Sequence, residues 1–65
     1  MKKLSVSLSG HHTSISIEPE FINALNEIAL RRGCSVAAII GEIDATRAGR
    51  NLSSAVRVWI LQNYK

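Results

Sequence analysis

The sequence predicts a small α+β fold that is mostly α, with an N-terminal strand region over residues 4–17 followed by two to three helices at about 19–32, 35–48 and 52–63. Three observations carry this. Apolar and polar residues alternate up to Ile17, the apolar spacing then lengthens to three and four, and single Pro, Gly and capping residues punctuate the boundaries. At 65 residues the chain is one domain, 1–65.

The most telling strand is the one ending at Ile17. Thr13, Ile15 and Ile17 fall on one face, while His12, Ser14 and Ser16 fall on the other. It runs almost directly into a helix, and no strand follows it. Even a two-stranded ribbon is marginal alone, so this strand needs a neighbour, either a second copy of the chain or the segment before it. That earlier segment also alternates, Leu4, Val6 and Leu8 with Ser5, Ser7 and Ser9. The two are out of phase, because apolar residues are even-numbered through Leu8 and odd-numbered from Ile15. A turn or bulge near Gly10 and His11 is required, and a hairpin and a long bent ribbon both satisfy it.

Glu18-Pro19-Glu20 opens the first helix, since Pro fits the first turn and carboxylates favour the positive end of the helix dipole. Its inward stripe is Phe21, Leu25, Ile28 and Ala29, with Ile22 alongside; Arg31 and Arg32 sit near its negative end, and Gly33 stops it. Ser35 caps a second helix whose Val36, Ile39, Ile40 and Ile43 repeat at helical spacing, ending near Gly49. Asn51, or alternatively Ser53, caps a third helix with Leu52, Ala55, Val56, Trp59 and Ile60 on one face. Val58 and Leu61 make that segment apolar on nearly all sides, which suits a subunit contact, and Val56 to Ile60 also fits a strand.

Composition narrows the function. A chain of this length buries only about 60% of its unfolded surface and needs a staple. Cys34 is the only cysteine, and no His/Cys cluster has zinc spacing, so oligomerisation is the remaining staple. The lone thiol and the lack of a signal-like apolar run fit a reducing cytoplasm, and nothing spans a membrane. The net charge is +3. Residues 1–17 hold Lys2, Lys3, His11, His12 and no acid, whereas residues 18–65 hold six Lys/Arg against five Asp/Glu. No nucleophile elbow or phosphate loop appears, so no catalytic residue is assigned and no enzyme is expected. No cofactor or metal is expected either. The imidazoles of a dimer lack acidic or thiol company, and Cys34 beside a helix start reads as a packing residue more readily than as a redox switch.

The order strand, helix, Gly-x-Ser turn, helix, with Thr13-Ser-Ile-Ser-Ile-Glu and Gly33-Cys-Ser35, resembles the ribbon-helix-helix family of DNA-binding proteins. Gly10-His11-His12-Thr13-Ser14-Ile15, Glu42-Ile43-Asp44 with Arg47, and Asn51-Leu52-Ser53-Ser54-Ala55-Val56-Arg57 resemble a compact bacterial subgroup of it. Ile22 departs from the aromatic residue expected there. The resemblance implies an intertwined homodimer in which one strand from each protomer pairs antiparallel, and this ribbon enters the major groove of double-stranded DNA as a transcriptional regulator, most often a repressor. By position, His12, Ser14 and Ser16 would read bases. Ser35, Val36 and Ala37 would grip phosphate at a helix N-terminus, with Lys2, Lys3, Arg31 and Arg32 adding contacts. Ile15, Ile17, Phe21, Leu25, Ile28, Ile39, Ile40, Ile43 and Trp59 would form the dimer core. Ser offers little base discrimination compared with the Arg, Lys, Gln or Asn usual in the family, and a solvated strand face explains Ser14 and Ser16 as well. Two alternatives remain. One is a module that binds another protein through the last helix and Trp59, and the other is an antitoxin-like variant of the same dimer.

Overall fold

A computed structural model describes residues 1–8 and 10–64, so Ser9 and the end of the expected domain at Lys65 lie outside the described residues. The open question about the first segment is answered by a hairpin. β1 (Lys2–Leu8) pairs antiparallel with β2 (His11–Ile17), Leu4 opposite Ile15 and Val6 opposite Thr13. Even-numbered residues thus share a face with odd-numbered ones, which is why the apolar phase changes between the strands. Gly10 turns the chain with φ of 81°, a value that costs a side chain and suits glycine.

α1 (Pro19–Arg32) starts where the Glu18 carbonyl accepts from the N–H groups of Phe21 and Ile22, at 3.0 and 3.1 Å. It ends at Gly33, with φ of 69°, whose N–H donates to Leu30 O while that of Cys34 donates to Ala29 O. α2 (Val36–Thr46) is capped by Ser35, whose Oγ accepts from the Ala38 N–H at 3.0 Å. It stops two residues short of the expected 48. Ala48 and Gly49 both take positive φ, and the Arg50 N–H closes a turn on Arg47 O at 3.0 Å.

α3 (Leu52–Asn63) is capped by Asn51, whose Oδ1 accepts from the Ser54 N–H, and Ser53 is already inside it. Val56 to Ile60 are therefore helical, and the strand reading of that segment is set aside.

The hairpin lies across the helices, β1 against α2 and β2 against α3, while α1 packs on both other helices. Val6, Ile15, Ile17, Leu25, Ile28, Ala29, Ile39, Ile40, Ile43, Ala55, Val56 and Ile60 are buried between them. Leu4, Leu8, Phe21 and Trp59 are half-buried at the margin. Seven of the nine residues expected at a dimer core are thus buried within one chain, because β1 covers the face that a lone strand would leave bare. The polar face of the hairpin is left outward.

Candidate nucleic-acid interface

The outward face is a ladder of three cross-strand pairs, Lys3 with Ser16, Ser5 with Ser14 and Ser7 with His12. All six residues are exposed, and none is acidic. The expected readers His12, Ser14 and Ser16 are therefore together on one surface, with Thr13, Ile15 and Ile17 turned inward. Half of that surface belongs to β1, whose Ser5 and Ser7 sequence reasoning passed over. Their signal was available, since Leu4, Val6 and Leu8 facing the core forces the alternate residues outward.

Backbone groups define the edges. Arg57 Nη2 donates to the Ser16 carbonyl at 3.5 Å, so that carbonyl points away from β1. In an antiparallel ladder residues alternate between bonding the partner strand and facing out, so His12 and Ser14 share this orientation. Lys3, Ser5 and Ser7, opposite them, present the free edge of β1. Arg57 also donates from Nε to Glu18 Oε1 at 2.8 Å, tying α3 to the joint between β2 and α1. That hydrogen bond, helped by Glu18's own backbone amide, holds the Glu18 carboxyl below its ordinary pKa.

His11 and His12 are neighbours on a strand and point to opposite faces. His11 lines a cleft of about 440 Å³ beneath β2 with Thr13, Asp44, Arg47, Asn51 and Ser53. Arg47 there serves the fold, donating from Nε to Asp44 Oδ1 at 2.7 Å and from Nη1 to Arg50 O at 2.7 Å. The Glu42-Ile43-Asp44 and Arg47 motif is thus a staple at the end of α2.

The remaining expected phosphate contacts are dispersed. Lys2 pairs with Ile17 in the inner register, though its side chain is exposed, whereas Lys3 faces outward. At α2, the first-turn N–H groups of Val36 and Ala37 have no intrahelical acceptor, and Ser35 and Ala37 are exposed. Arg32 lies 5.6 Å over the Trp59 ring and 3.7 Å from Glu42 Oε2, and Arg31 lies 5.8 Å over Tyr64. Both guanidiniums thereby clasp α1 to α3 or α2. The Tyr64 hydroxyl is raised above its ordinary pKa by its hydrogen bond to Glu27 and that carboxylate's charge. Cys34 is exposed at the turn between α1 and α2. Among the described residues no three His, Cys, Asp or Glu side chains converge as a metal site, and no helix is long and apolar enough to cross a membrane.

The ribbon-helix-helix domain family matches residues 1–64. The chain belongs to that family, a class of DNA-binding domains that are typically not enzymes. No curated protein and no solved structure matches the chain.

Proposed function

We propose that the chain is a homodimeric regulator of transcription that binds double-stranded DNA in a bacterial cytoplasm and acts as a repressor. The observation that carries this reading is the outer face of the hairpin: exposed, free of acids, and built from hydrogen-bonding side chains at alternate positions. A major groove admits a β-ribbon, and phosphates surround it, so such a face meets base edges without like-charge repulsion.

The second copy joins at the free edge of β2. Its Ser16 carbonyl is held by Arg57 through a long 3.5 Å contact that an incoming strand displaces, whereas Lys3 blunts the edge of β1. Antiparallel pairing of the two β2 strands about Ser14 closes on a twofold axis and brings His12, Ser14 and Ser16 of both chains to the centre. Ser35, Val36 and Ala37 hold phosphate through free amide donors, with Lys2, Lys3, Arg31 and Arg32 as supporting charges. Selection of bound sequences from a random duplex pool tests the assignment. The chain should enrich a short motif, and Ser14→Ala with Ser16→Ala should blur it while keeping overall affinity within about tenfold. An unenriched pool would contradict it.

A second reading is favoured by one further surface. Phe21, Ala24, Ile60, Leu61 and Tyr64 line an apolar groove of about 190 Å³ between α1 and α3, and Leu61 is 78% exposed. A protein partner held there would make the dimer an interaction module, and recovery of one protein but no DNA on pulldown would support it.

A further inference from the structure

We infer that the outer face and free edge of β1 form a strap for the phosphate backbone flanking the groove, with Lys3, Ser5 and Ser7 as its donors. This rests on the DNA-binding reading above and adds a second, non-reading contact surface to it. Two β2 strands paired about a twofold axis make a four-stranded sheet, because each β2 keeps its own β1 on the far side. Strands lie about 4.8 Å apart, which places β2 about 2.4 Å and β1 about 7 Å from the axis. The groove is about 12 Å wide, so its walls lie about 6 Å from the same axis. The β2 pair fits between the walls, and β1 falls on them.

What β1 offers there suits phosphate. The Lys3 ammonium and the hydroxyls of Ser5 and Ser7 are donors on the outward face, and all three residues are exposed. Their backbone N–H groups point from the free edge in the same alternation that turns the Ser16 carbonyl outward on β2. Backbone amides, hydroxyls and lysine are the usual phosphate donors, and they carry no sequence information. No acid occurs in residues 1–17 to oppose them. The pairing separates two neighbours that the sequence treats alike, since Lys3 lies on the outer face and Lys2 in the inner register.

The test compares Lys3→Gln, Ser5→Asp and Ser14→Ala with the unaltered chain on the selected duplex and on an unrelated one, across 50 to 200 mM salt. Lys3→Gln should flatten the slope of log affinity against log salt by about 2 per dimer, equally on both duplexes. Ser5→Asp, at an exposed site, should weaken binding to both by more than about tenfold, and Ser14→Ala should change only the preference between them. Unchanged affinity and slope in the first two variants, with the unaltered chain still binding, would overturn the strap and leave the DNA reading intact. A shift in base preference caused by Ser5→Asp would also overturn it, placing the hairpin itself in the groove. Failure of the unaltered chain to bind either duplex removes the strap and the DNA reading together.

Discussion

Arg57 joins three elements. It reaches from α3 to the Glu18 carboxylate and to the Ser16 carbonyl, so one guanidinium ties together β2, the start of α1 and the last helix. Glu18 has a folded-state pKa below its unfolded value of 4.5, chiefly through that hydrogen bond. The pair's contribution is therefore complete above about pH 4.5 and is lost as pH falls through the folded value. Both partners are partly exposed, so solvent screening keeps the effect modest. Thermal unfolding followed from pH 6 down to pH 3 should fall more steeply for the unaltered chain than for Arg57→Gln; parallel curves would remove the pair from the account. The contact was not legible in the sequence. Arg57 lies 39 residues from Glu18, and a spacing that long is set by the packing of α3, not by local pattern.

At the scale of elements, two glycines behave oppositely. Gly33 ends α1 with φ of 69°, and Gly41 lies inside α2, where an added methyl group would meet Leu8 Cδ2 at 3.9 Å, an ordinary contact. Gly33→Ala should destabilise by about 1 kcal/mol through left-handed strain, while Gly41→Ala should stabilise by about 0.5–1 kcal/mol by restricting the unfolded chain. Denaturant midpoints of the two variants should move in opposite directions, and a shared direction would contradict the backbone assignments. The helices were largely readable because Gly33, Ser35 and Asn51 act through hydrogen bonds to near neighbours, and Pro19 through its fixed φ in the first turn. The early end of α2 was not, since it depends on the positive φ of Ala48 as much as on Gly49. For the hairpin, the change of apolar phase demanded a turn but did not choose the partner strand. That choice came from Leu4, Val6 and Leu8 covering the same core as Ile15 and Ile17.

For the whole molecule, the hairpin changes what a second copy is for. Ile17, Leu25, Ile39, Ile40 and Val56 are fully buried in one chain, so a partner is not needed to cover them. In the proposed dimer a second copy would instead pair with the edge of β2, displacing Arg57 from the Ser16 carbonyl, and double the set of outward side chains. The candidate readers, and the outward turn of Ser5 and Ser7, were legible from strand parity, but that the two polar faces form one surface was hidden until the strand pairing was known. The proposed function requires that this surface meets phosphate-lined DNA. Equilibrium binding of the purified chain to a duplex at 50 and 200 mM salt addresses it directly. With about six phosphates contacted per dimer, affinity should fall about a thousandfold across that range. Binding that is absent at low salt, or unchanged between the two concentrations, would contradict it.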